Sequence, residues 1–151
     1  MKKVLSLMLA FAFVVLVFAG CNSAKNEKEF YALVSEAQEC LDRYADDILF
    51  CWYDYERGRE YSSLDHALLA AKEMNFENRV AIKSKNERIM ELYEKVKDGE
   101  MSEEAKNVIQ IYIRYYECVM EASGTLSSFS DDVEIYGKKL SVALRDLRIE
   151  L

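Results

Sequence analysis

Few residues of this chain are equipped for chemistry. It has one histidine and four cysteines among 151 residues. His66 follows Asp65, and a metal ligand or general base is the role open to it. No second ligand or nucleophile stands at a matching spacing, so a surface histidine near a helix start is the simpler reading. There is no Glu-x-x-His pair for a di-metal site in a helical bundle, and no Cys-x-x-Cys for zinc or thiol redox. A glycine-rich phosphate loop and a Gly-x-Ser-x-Gly elbow are also missing from the sequence. No catalytic residue, metal ligand or cofactor is expected, and the chain reads as non-enzymatic.

The acidic clusters Glu39, Asp42, Asp46, Asp47 and Asp131, Asp132, Glu134 read as solvated faces, since no loop alternates oxygen ligands as a calcium site requires. Of the cysteines, Cys40 and Cys51 would stand about 16 Å apart on one helix and cannot bridge. A Cys40–Cys118 disulfide is conceivable if their helices are adjacent; buried free thiols are the alternative. Trp52, Tyr53, Tyr55, Arg57 and Tyr61 form the most distinctive stretch. These residue types often anchor protein interfaces, so the stretch is a candidate partner-binding tip, against a plain core-and-cap role for its aromatics.

The fourth cysteine, Cys21, has a different setting. Met1-Lys2-Lys3 is a short basic start, and Val4 to Gly20 follows without a charge. That is the layout of a secretory signal over residues 1–20. Phe18-Ala19-Gly20-Cys21 resembles the lipobox of bacterial lipoproteins, with Phe18 departing from the usual Leu, Val or Ile. The resemblance implies cleavage before Cys21 and a diacylglycerol on its thiol, hence membrane attachment at the cell envelope. A soluble secreted product, cut by ordinary signal peptidase, is the alternative. Residues 21–28 are expected to be the lipidated cysteine and a flexible tether, and residues 29–151 the folded domain.

The domain that must position these residues reads as all-helical. There is no proline, and there are five glycines. A first helix is expected from about Asn26 to Arg57, with a seam of Phe30, Val34, Ala37, Leu41, Tyr44, Ile48, Cys51 and Tyr55 in steps of three and four. A second follows Ser62, an expected N-cap, and runs to Asp98-Gly99. Asn75, Asn78 and Lys85 interrupt its seam, and a kink near Asn75 is possible. A third starts after the expected N-cap Ser102; being apolar over most of its circumference, it should be the most buried. A fourth carries Leu126, Phe129, Val133, Tyr136, Leu140, Ala143 and Leu147. Short connections imply an antiparallel up-down bundle of four helices, with three long helices, the third running through Gly124, as the alternative. In the four-helix case the far end of the first hairpin would overhang the second.

Ten tyrosines are many, and those on seams need partners for their hydroxyls, which the polar seam positions of the second helix could supply. The net charge is −7, and removing residues 1–20, with two lysines and no acid, makes it −9. Such a surface repels phosphate backbones, so nucleic acid is not an expected partner. The expected function is that of a membrane-anchored, protein-binding or scaffold module with an envelope protein as partner. A carrier of a small apolar or aromatic ligand within the bundle is the runner-up.

Overall fold

The computed structural model describes side chains for residues 24–149 and Leu151; the leader, the lipobox-like tetrapeptide and Cys21 lie outside them. The chain is all-helical, with α1 (Lys2–Glu56), α2 (Leu64–Met74), α3 (Phe76–Val96), α4 (Ser102–Met120) and α5 (Leu126–Glu150). Ala24 to Lys28, expected as a loose tether, already belong to α1, and Glu27 is buried. No glycine or proline interrupts this stretch, and Ala, Lys and Glu are good helix formers.

The alternation of three and four along α1 succeeds as a core pattern. Phe30, Val34, Ala37, Leu41, Tyr44, Ile48 and Cys51 are all buried, and Ala45 and Trp52 join them. α1, rather than the apolar α4, is the element against which every other helix packs. The reason lies off the seam of α4, where Ile111, Ile113, Tyr116 and Met120 are only partly covered.

There are five helices rather than four, because the expected second helix breaks at Asn75. That residue ends α2 and begins α3 with φ −104° and ψ 21°, outside the helical basin. Its side chain holds the break in place. Nδ2 donates to Asp47 Oδ2 at 2.7 Å and to the Ala71 carbonyl at 3.3 Å, while Oδ1 accepts from Asn78 Nδ2 at 3.2 Å. Asn78 Nδ2 also donates to the Cys40 carbonyl at 2.9 Å. Lys85 pairs with Glu36, and Arg88 with Glu29. As α3 descends, its partners ascend α1, so these two helices run in opposite directions. The polar seam residues thus tie α3 to α1 and do not serve the tyrosine hydroxyls as expected.

Two N-caps differ from expectation. Ser63, not Ser62, caps α2, its hydroxyl accepting from the His66 N–H at 3.2 Å. Ser102 is the first residue of α4, and the preceding Met101 is buried in the turn instead of capping with a side chain. Between α4 and α5 the helix does stop. Gly124 takes φ +90°, and Thr125 forms a reciprocal capping box with Ser128. One continuous helix through Gly124 is thereby excluded. Ser127, Ser128 and Ser130, weak helix formers in isolation, follow a cap built from Thr125.

Candidate functional site

The proposed tip divides into a buried and an exposed half. Trp52 is 1% exposed and stacks on Phe129 of α5, with ring centroids 5.7 Å apart. As an interface anchor Trp52 is therefore corrected, because its surface is spent on the junction of α1 and α5. The same contact brings the start of α5 level with the end of α1, so the overhang expected of the first hairpin is covered at Trp52, while Phe50, Tyr53 and Leu69 stay exposed. Tyr55 and Tyr61 are half-buried, and the Tyr61 hydroxyl lies 3.4 Å from Cys51 Sγ. That bond and partial burial push the Tyr61 pKa up to about 12. Tyr53 stays exposed with the Arg57 guanidinium over its ring at 5.7 Å, and Phe50 is exposed one turn earlier.

The remaining expected groups are quickly placed. His66 is exposed, with Ser62 Oγ 3.4 Å from its Nδ1 and the Tyr61 ring edge-on to it. Cys40, Cys51 and Cys118 are all free thiols, so the Cys40–Cys118 disulfide is corrected to separate, partly or fully buried cysteines. Burial, with Asp132 nearby, pushes the Cys118 thiol up to about 11, which leaves it a poor nucleophile at neutral pH.

A polar cluster sits between α1, α4 and α5 and includes Asp42, expected on a solvated face. Tyr115 reaches from α4 and donates its hydroxyl to Asp42 Oδ1 at 2.5 Å. Gln38, one turn back on α1, donates through Nε2 to the Gly137 carbonyl at 3.2 Å and to Ser141 Oγ at 2.8 Å. Gly137 lies beside this cluster on α5. A Cβ there would stand 3.7 Å from the Tyr115 hydroxyl and 3.8 Å from Asp42 Oδ1.

The electrostatics of the cluster are unfavourable to ionisation. Burial, reinforced by Asp46 and Glu39, raises the Asp42 carboxyl despite the bond from Tyr115. Burial and the same carboxylate push the Tyr115 phenol far above its ordinary value. A tyrosine held this firmly protonated, with no histidine or lysine bonded to it, is a positioned donor and not a nucleophile or base. Next to it opens a groove of about 530 Å³ bordered by Asp42, Asp46, Val133, Glu134 and Val142. A smaller continuation of about 390 Å³ shares Gln38, Asp42 and Ser141 and runs to Tyr31, Arg145 and Arg148.

Among the described residues, no group of three His, Cys, Asp or Glu side chains is arranged to hold a metal ion. Nor, among the described residues, is any helix long and apolar enough to cross a membrane. The arrangement offers an acid-rimmed groove and an exposed aromatic–arginine face. No protein-family model matches the chain, no curated protein matches it in sequence, and no solved structure matches its fold.

Proposed function

We infer that the protein is a cell-envelope lipoprotein, anchored through a diacylglycerol on Cys21, that acts as a non-enzymatic protein-binding module. One observation carries the reading: a basic start, an uncharged apolar run and Ala19-Gly20-Cys21 directly precede a helical body whose first buried side chains, among the described residues, are Glu27 and Phe30. The body would then stand close to the lipid surface. α1 extends about 48 Å along its axis from Ala24 to Glu56 at 1.5 Å per residue. In this reading α2 and α3 act as one broken limb, and the body is an antiparallel up-down bundle of four limbs. The partner meets the face of α1 that leaves Phe50, Tyr53 and Arg57 exposed.

The deciding experiment is intact mass and membrane partition of the full-length protein made in bacteria, beside Cys21→Ser. A mature chain beginning at Cys21 with added diacylglycerol, and release of the variant from membranes, is the expected result. A lipid-free chain beginning at Gly20 would sink the anchor and leave a secreted bundle.

A carrier role is the second reading, and it draws on one feature. The Tyr112 hydroxyl is buried with no hydrogen-bond partner, and burial holds it protonated well above the ordinary phenol range. A small aromatic ligand with a polar atom would complete it. Thermal denaturation with a panel of small phenols tests this; no shift at millimolar ligand would remove the carrier.

A further inference from the structure

Three features of the α1–α5 groove belong together. Its floor has apolar surface. Val133 is half-buried, and Val142, which also lines the groove, is 47% exposed. Its α1 rim carries Glu39, Asp42 and Asp46, at steps of three and four along one helix edge. None of these three acids has an ion-pair partner among the described residues, whereas Glu134 on the α5 rim is paired with Lys138. The α5 rim also carries Lys138, Arg145 and Arg148, with Arg145 against Asp146, so the acids without an ion-pair partner stand on the α1 rim. Asp46 and Glu39 already oppose ionisation of Asp42, and a cation laid along the groove would relieve that repulsion.

Deepening the protein-binding reading above, on which it rests, we propose that this groove docks a lysine- or arginine-rich amphipathic helix of a partner protein. The chemistry follows from the geometry. Cations spaced three and four residues apart on one flank of a helix match the spacing of Glu39, Asp42 and Asp46. An apolar stripe beside them covers Val133 and Val142, the helix-in-groove mode of recognition. Gln38 and Ser141, already bonded to each other at 2.8 Å, keep α1 and α5 at a fixed separation, so the groove is formed before its ligand arrives. Tyr53, seven residues beyond Asp46 and on the same side of α1, extends the contact toward the α1–α2 turn.

The probe is a synthetic helical peptide with lysines along one flank and leucines beside them, set against a scrambled peptide of the same composition. The full-length protein is held in nanodiscs of phosphatidylcholine, with empty nanodiscs as the blank. The patterned peptide is expected to bind about tenfold more tightly than the scrambled one. Glu39→Gln combined with Asp46→Asn should weaken it about fivefold and flatten its salt dependence. Val142→Ser should weaken it about threefold without flattening that dependence. All three positions are on the surface, so circular dichroism should show unchanged folds. Equal binding of both peptides, or indifference to these substitutions, overturns the groove. So does sedimentation showing a dimer that buries Val142 and excludes the peptide, because the occupant is then a second copy. Repeating the titration with Cys21→Ser in solution separates the two claims. Binding that survives without the lipid leaves the groove standing if the anchor falls, and an anchored protein that ignores the peptide removes the groove alone.

Discussion

Asp42 shows how one side chain can be both tied and strained. Tyr115 donates to it at 2.5 Å, yet burial and the neighbouring Asp46 and Glu39 leave its carboxyl raised. A carboxyl raised in the folded state stabilises the fold only while protonated. That contribution is present below the unfolded pKa and lost as pH rises through the folded one. Asp42→Asn keeps an oxygen to accept from Tyr115 and discards the charge. It should therefore raise the melting temperature at neutral pH, by a margin that shrinks as pH falls through the carboxylate range. Melting curves of both proteins from about pH 3 to about pH 8 check this; a less stable variant at neutral pH would mean that the ionised pair is net favourable. Trp52 is the opposite case, an aromatic whose whole surface is committed. Trp52→Ala should cost about 3–5 kcal/mol, from lost burial and the lost stack on Phe129. Chemical denaturation measures it, and a loss below about 1 kcal/mol would show that the α1–α5 junction closes without the indole.

At the scale of the helix, two glycines of opposite meaning make a paired prediction. Gly124 has φ +90°, and a Cβ there would fall 2.9 Å from Ser128 Oγ, so Gly124→Ala should destabilise by more than about 1 kcal/mol. Gly137 lies within α5 with only ordinary contacts around a would-be Cβ, so Gly137→Ala should stabilise by about 0.5–1 kcal/mol. Urea denaturation of the two variants is the check, and a destabilised Gly137→Ala would mean that α5 cannot yield even a few tenths of an ångström. The seams of α1, α4 and α5 were legible because steps of three and four mark one face of a helix whatever it packs against. The break at Asn75 was legible as an interruption, but not as a stop. Its force comes from Asp47, 28 residues earlier, which no local pattern displays. The groove was not legible at all. Gln38, Asp42, Gly137 and Ser141 are polar or small, and each alone looks like an outer-face residue. Their meeting depends on α1 and α5 packing together across 99 positions of sequence.

For the whole molecule, composition spoke to class and charge, but the share of burial among helices had to be seen. α4 carries apolar residues around most of its circumference, yet α1 is the element all others touch. That placement has a consequence for motion. An amide in the middle of α1, between Leu41 and Ile48, is covered from several sides and can meet solvent only when neighbouring helices leave together. The backbone around Asn75, with Met74 and Phe76 exposed beside it, can open alone. Native-state hydrogen exchange should accordingly sort the chain into two groups. The mid-α1 amides should exchange at the rate of global unfolding and gain no protection from small changes elsewhere, while those flanking Asn75 exchange through a local opening that mild denaturant leaves untouched. α1 thus sets a single cooperative unit for the body, and the α2–α3 junction is the place where the molecule can breathe without coming apart.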